Sequence, residues 1–338
     1  MLALLALALL GIFLTASLAL WGVTLVRVGE GRPILERDSH RPAVWGFVDL
    51  IVTVVILLLL QVVAAEALRR SGLITTGQQR SLDDYFIALM VSAGCSAAAF
   101  GFSWVWLSLR TGASAADLGF RVDRFWWDIA IGVAAFVMLA PVVFGVQLIL
   151  VLIMGPTQHP LILLLQKSPE WRLFLAASLN AVIVAPVVEE YFFRSLWQGW
   201  TESLRLPMHP EEALLGCKPT PEIVSDQRLA EPLKEVPAPN ANPYAAPVLQ
   251  EMPARDVETA QVVSPYQRTI WWPILVSATL FALAHFSHGP DGVALFVLAV
   301  GLGYLYQRTR SLTPSIVVHF LLNATSMIML WTQLFLAR

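Results

Sequence analysis

The stretch AVIVAPVVEEYFFRSLWQGW, residues 181–200, places two adjacent glutamates and an arginine inside a run of apolar residues. Charged side chains are costly in hydrocarbon, and they persist there mainly when they pair with one another or take part in function. Glu190 and Arg194 are four residues apart, so on a helix they share a face and can form an ion pair. Glu189 points about 100° away from Glu190. The stretch therefore predicts a membrane helix with one paired and one uncommitted carboxylate.

Composition places this helix in a membrane protein. The chain has 338 residues, of which 57 % are hydrophobic and 14 % are charged. Soluble domains average roughly 45–50 % apolar and about 25 % charged residues. The net charge of −2 gives no indication of a nucleic-acid partner, and two cysteines are too few for a disulfide framework.

Apolar runs along the chain predict an all-α, polytopic membrane helical bundle of about eight transmembrane helices. A helix needs about 20 residues to cross the hydrocarbon core. The first run lacks a basic start and is too long for a typical signal peptide, so we interpret it as an uncleaved span. The seventh run is short and contains glycine. The predicted spans lie near residues 2–26, 44–66, 85–108, 127–154, 173–199, 270–288, 292–307 and 314–336.

The distribution of lysine and arginine predicts the orientation of the bundle. The first, third, fifth and seventh connections hold 15 of these residues, whereas the second, fourth and sixth hold 5. Connections rich in positive charge tend to stay in the cytoplasm. We therefore expect the odd-numbered connections in the cytoplasm and both termini outside, in an integral multi-pass protein of the cell membrane.

The fifth connection, residues 201–269, differs in composition from the rest of the chain. It contains 11 of the 21 prolines and few apolar runs, so it cannot bury enough surface to offset the entropy of ordering. We predict a disordered cytoplasmic insertion and interpret it as a tolerated linker rather than a binding segment. The predicted organisation is N-terminal helices in 1–109, a first functional part in 110–200, the insertion in 201–269, and a second functional part in 270–338.

Two further spans carry polar residues at helical spacing. The sixth contains FALAHFSHGPDG, with His285 four residues after Phe281, and the eighth contains SLTPSIVVHFLLNATS, with His319 four residues before Asn323. Bundles turn such faces inward. Together with Glu189 they provide a base, two imidazoles and an amide donor, which can activate water and stabilise an oxyanion. The same set contains enough nitrogen and oxygen ligands for zinc.

The ordered set E-E-x-x-x-R, F-x-x-x-H and H-x-x-x-N resembles the CAAX prenyl protease type II family. The wider group is the CAAX protease and bacteriocin-processing (CPBP) family of intramembrane proteases. The resemblance covers roughly residues 110–335 and includes DLGFRVDRFWWDIAIG at 117–132. Two features depart from the family pattern. Ser195 replaces a usual glycine, and the long insertion separates the first two motifs.

The resemblance implies a role for each motif residue. Glu189 would activate water with the help of His285, while Glu190 and Arg194 would orient the site. His319 and Asn323 would hold the oxyanion. In a metalloprotease mechanism, His319 would instead join His285 as a ligand of zinc.

The hypothesis that combines these observations is an intramembrane endopeptidase acting on a peptide or protein substrate, with lipid-modified proteins among the candidates. We favour a metal-independent mechanism, because three zinc ligands cannot be assigned without using Glu189 as one of them. One alternative is a transporter or channel that relays protons through the same groups, although the paired halves of many transporters are not evident. A second is an inert membrane protein with an immunity or scaffolding role.

Overall fold

The computed structural model describes residues 2–38, 42–74, 81–155, 160–206, 208–216, 269–286 and 291–336. Most of the predicted insertion, residues 217–268, lies outside this part of the chain. All regular elements within the described part are helical, which confirms the predicted fold class. The helices are α1 (Leu2–Gly29), α2 (Phe47–Arg70), α3 (Leu82–Thr111), α4 (Phe125–Met154), α5 (Pro160–Lys167), α6 (Trp171–Ser203), α7 (Pro210–Leu215), α8 (Trp271–Ala284), α9 (Asp291–Thr309) and α10 (Thr313–Leu336).

Seven of the described helices are long and apolar enough to cross a membrane, and an integral multi-pass protein is therefore confirmed. These are α1 to α4, α6, α9 and α10. The predicted sixth span is shorter than expected, because its helix α8 has 14 residues and ends at Ala284. The glycine-containing seventh run is a full helix of 19 residues, and it is the most deeply enclosed of the seven.

Helix α4 packs against three other helices, α1, α9 and α10. Its contact with α10 is close because Gly132 has no side chain. A Cβ atom there would lie 2.9 Å from the Pro314 carbonyl oxygen and 2.7 Å from the Cβ of Val317. Helix α10 is thereby held by α4 on one side while its other contacts include α6, which carries the two glutamates.

The odd-numbered connections meet at one end of the bundle. Asp38, in the first connection, accepts hydrogen bonds from Arg121 at 2.5 Å and Arg124 at 2.8 Å in the third. The backbone N–H of Asp38 donates to the carbonyl of Arg308, close to the seventh connection, at 2.9 Å. This arrangement agrees with the predicted topology, in which these connections share one face of the membrane.

The fifth connection begins later than predicted. Helix α6 continues to Ser203, and α7 forms a further turn and a half beyond it. This segment is tied to the bundle, since the Trp200 indole donates to the Ala213 carbonyl at 2.9 Å and Arg110 donates to the Leu215 carbonyl at 2.6 Å. The prediction of disorder from residue 201 is therefore wrong for this first part, because composition alone does not show such long-range hydrogen bonds.

Helix α6 is not a regular α-helix. Two π-helical segments, Asn180–Val184 and Tyr191–Gln198, flank a short α-helical stretch, Ala185–Glu190. Such segments are rare and often occur at functional sites. Both glutamates of the opening motif lie at the end of the α-helical stretch, three and four residues after Pro186.

Candidate active site

The ion pair expected from the spacing of the first motif is present. Arg194 Nε donates to Glu190 Oε2 at 3.0 Å, and both side chains are completely buried. Opposite charges can be held away from water only when they are paired and hydrogen-bonded. The pair therefore places a balanced charge at the centre of the bundle.

Helix α8 supports the guanidinium of this pair. Arg194 donates a second hydrogen bond to Ser277 Oγ at 3.0 Å, and that hydroxyl donates to the Phe193 carbonyl at 2.7 Å. The guanidinium also lies over the ring of Phe281, 5.5 Å from its centroid. Ser277 was not among the predicted site residues. Its position one turn before Phe281, on the same helical face, could have indicated that it belongs to the site.

His319 connects the ion pair to the second glutamate. Its Nδ1 lies 3.1 Å from Glu190 Oε1, and its Nε2 lies 3.9 Å from Glu189 Oε2. A carboxylate can only accept hydrogen bonds, so the Nδ1 of His319 carries the hydrogen. The ring is buried, and Nε2 is the nitrogen left to face Glu189.

His285 approaches Glu189 from the other side. Its Nδ1 lies 2.8 Å from the Phe281 carbonyl oxygen, which again requires a hydrogen on Nδ1. Its Nε2 lies 3.8 Å from Glu189 Oε2. The ring is tilted against that of Phe281, with 4.6 Å between their centroids. Phe281 thus contacts both imidazoles, since its centroid also lies 5.8 Å from that of His319.

Glu189 is the uncommitted carboxylate that the sequence predicts. Its Oε2 atom is buried and has no hydrogen-bond partner within the described residues, although two imidazole nitrogens face it. The side chain as a whole is 25 % exposed. A buried oxygen that accepts no hydrogen bond is uncommon and costly, which makes this atom a candidate for function.

Asn323 lies one turn beyond His319 on α10, but its amide is directed to backbone. Its Nδ2 donates to the Ala181 carbonyl oxygen at 2.7 Å. The structure therefore brings five of the six predicted residues together around the two glutamates. The sixth, Asn323, contacts the preceding turns of α6 instead.

Metal binding has no support from the arrangement of the described residues. No group of three or more His, Cys, Asp or Glu side chains among them has the geometry of a metal site. The nearest candidate set would be His285, His319 and Glu189, but binding of zinc there would occupy the oxygen that the predicted metal-independent mechanism uses as a base. Zinc stays a prediction, and no step below depends on it.

A second buried polar network surrounds Glu202 on α6, twelve residues after Glu190. The predicted insertion starts at this point. Glu202 Oε1 accepts from Gln198 and Gln307, each at 3.0 Å, and its Oε2 is paired with Arg310. Arg37 lies 3.6 Å from the same oxygen, and burial together with the charge of Arg310 lowers the pKa of Arg37 to about 10. The four-residue spacing of Gln198 and Glu202 could have indicated this network.

Comparison with known sequences agrees with the geometry. No curated protein and no solved structure matched the chain. The family model described as Type II CAAX prenyl endopeptidase Rce1-like matches residues 171–325, a range that contains all six predicted site residues. The resemblance predicted from the motifs is thus confirmed: over these residues the chain matches the model of the Rce1-like type II CAAX prenyl endopeptidases, a family of membrane-embedded proteases.

Proposed function

We propose that this protein is an intramembrane endopeptidase in which Glu189, assisted by His285, activates water for attack on a peptide bond. One observation carries the proposal. Glu189 Oε2 is buried between two imidazole nitrogens and yet accepts no hydrogen bond from a described residue. An oxygen in that position is available to take a proton from water.

The tautomer of His285 supports this assignment. Because its Nδ1 hydrogen is directed at the Phe281 carbonyl, the neutral ring presents the lone pair of Nε2 towards Glu189. Two acceptors 3.8 Å apart can both lie at ordinary hydrogen-bonding distance, about 2.8 Å, from one water oxygen. Such a water has one acceptor for each of its hydrogens, which leaves an oxygen lone pair for attack on a carbonyl carbon.

His319 has a different role, because Glu190 accepts its Nδ1 hydrogen. The carboxylate stabilises the protonated ring, and in that form Nε2 becomes a donor. A donor beside the attacking water stabilises the negative charge that develops on the carbonyl oxygen. Because Arg194 already balances Glu190, the charge of the protonated ring is balanced by Glu189, whose Oε2 lies 3.9 Å from His319 Nε2.

The substrate class follows from the family and from the position of the site. We propose a peptide or protein whose scissile bond reaches the bilayer, with lipid-modified proteins as the first class to test. The site residues lie on α6 and α10, which are membrane spans, and at the end of α8. A substrate with its own membrane anchor would be concentrated where this site lies.

The test is cleavage of a peptide library, with and without lipid modification, by purified protein in liposomes. Wild type should cleave members of the library, and Glu189→Gln, which keeps the shape but removes the base, should not. The metal content of both samples is measured alongside. Cleavage by Glu189→Gln at the wild-type rate would overturn the assignment, and zinc bound stoichiometrically to active protein would replace the metal-independent mechanism.

A further inference from the structure

A backbone carbonyl in α6 lacks its regular partner, and the cause is Pro186. In a π-helix a carbonyl accepts from the N–H five residues ahead, and in the segment Asn180–Val184 the Ala185 N–H donates to the Asn180 carbonyl in this way. The next bond in this register would join the Ala181 carbonyl to residue 186. Proline has no N–H, so this bond cannot form.

The regular α-helical alternative is also absent at this position. In an α-helix, the Ala181 carbonyl would accept from Ala185. That N–H is directed to Asn180 instead. The Ala181 carbonyl therefore depends on a donor from outside its own helix, and a buried carbonyl without a donor is costly in a membrane, where water cannot replace it.

Asn323 supplies that donor. Its Nδ2 lies 2.7 Å from the Ala181 carbonyl oxygen. One turn away on the same helix, His319 contacts Glu190 at 3.1 Å. Helix α10 is thus joined to α6 at Ala181 and at Glu190, and Glu189 lies between these two points in the chain.

We propose that Asn323 is a positioning residue, which replaces the hydrogen-bond donor missing from Pro186 and thereby fixes the register of Glu189 against His319. This differs from the role in oxyanion binding that the family resemblance implies for Asn323. The proposal rests on the proposed function where catalysis is concerned, but the structural bond between Asn323 and Ala181 does not depend on it.

The two roles make opposite predictions for a double-mutant cycle of Asn323→Ala and Pro186→Ala. Replacing Pro186 by alanine supplies an N–H at position 186, which in the π register donates to the Ala181 carbonyl. Under our proposal, Asn323→Ala lowers the melting temperature by roughly 3 °C and lowers kcat about tenfold with KM unchanged, since the base is displaced rather than the substrate site. The double variant should recover both quantities to near those of Pro186→Ala alone.

An oxyanion donor would behave differently in the same cycle. Its removal typically costs about 10²–10³ in kcat, and a new N–H at position 186 could not restore that loss. An unrescued kcat in the double variant, or an unchanged melting temperature in Asn323→Ala, would overturn the proposal. kcat is measured well below every melting temperature, so that unfolding does not contribute.

A second comparison applies if Pro186→Ala does not fold. Asn323→Asp places a carboxylate oxygen against the Ala181 carbonyl oxygen, so it should melt below Asn323→Ala. Equal melting temperatures for wild type and both variants would overturn the proposal. If wild type cleaves no peptide, the proposed function fails, whereas the melting temperatures still decide whether Asn323 holds α6.

Discussion

Two glutamates on the same helix have different partners for a similar oxygen. Glu202, near the end of α6, accepts two glutamine amides on Oε1, and its Oε2, which has no hydrogen-bond partner within the described residues, is ion-paired with Arg310. Glu189, thirteen residues earlier, also has a buried Oε2 that no described group hydrogen-bonds, but this oxygen faces two imidazole nitrogens and no arginine. A carboxylate paired with a permanently charged guanidinium stays ionised, whereas one without such a partner keeps its capacity to accept a proton. The difference distinguishes the structural role of Glu202 from the reactive role that we propose for Glu189.

The largest expected effect is on catalysis, and it tests the contrast between these two glutamates directly. Glu189→Gln should lower kcat by about 10²–10⁴, the usual contribution of a general base, while its melting temperature stays within about 2 °C of wild type. Glu202→Gln is the matched control and should retain most of its kcat when assayed well below its melting temperature. Loss of activity in both variants to the same extent would remove the distinction.

The next effect is on stability and concerns the two buried ion pairs. Arg194→Ala leaves Glu190 unpaired, and removal of one partner from a buried pair typically costs about 3–5 kcal/mol. We expect a lower melting temperature together with lost activity, because His319 also depends on Glu190. Thermal unfolding in detergent measures the first quantity. A variant as stable as wild type would show that the pair is solvated.

Glu202→Gln should destabilise the protein by a similar mechanism, since Arg310 would lose its carboxylate. The expected cost is about 2–4 kcal/mol, because the amide can still bond Gln198 and Gln307 through its oxygen. The measurement is again thermal unfolding, with Glu66→Gln on the exposed end of α2 as a control that should change stability little. Unchanged stability in Glu202→Gln would mean that its network is not structural.

A smaller effect is expected at Ser277, which bridges Arg194 and the Phe193 carbonyl. Ser277→Ala removes two hydrogen bonds but no charge, at a cost of about 1–3 kcal/mol. Activity should fall less than in Arg194→Ala. If Ser277→Ala matched Arg194→Ala in both stability and activity, the hydroxyl would be as important as the guanidinium, contrary to this ranking.

The smallest effect is expected from deletion of residues 219–266. Composition predicts that this segment makes no folded core, and both carboxylates discussed above lie outside it. The deletion variant should keep the kcat and melting temperature of wild type, measured in the same detergent. A large loss of activity would indicate that the insertion contributes to the site or to substrate binding.

Much of the site could be predicted because it depends on spacing within single helices. The pairing of Glu190 with Arg194 follows from four residues on one face, and the structure shows it at 3.0 Å. The fold class likewise follows from the length and hydropathy of the runs. Both predictions use local geometry that a sequence displays directly.

Other features depend on contacts between helices and could not be predicted in the same way. The partner of Asn323 is a backbone carbonyl 142 residues away in sequence, in a π-helical segment that no periodicity indicates. The network around Glu202 joins the first, fifth and seventh connections, so only part of it shows as a four-residue spacing. The boundary of the insertion was misplaced for the same reason.

The shortness of α8 bears on how water reaches the site. A helix of 14 residues rises about 21 Å, about 9 Å less than the usual hydrocarbon thickness. A helix of this length that begins at one membrane surface ends inside the hydrocarbon core unless the lipid beside it becomes thinner, and His285 follows the last residue of α8. Lipids adjust to short segments by thinning locally, at a modest cost per ångström. Hydrolysis consumes water. A thinner layer of lipid beside His285 would shorten the path by which bulk water reaches the site, so we expect the rate of the proposed hydrolysis to depend on bilayer thickness.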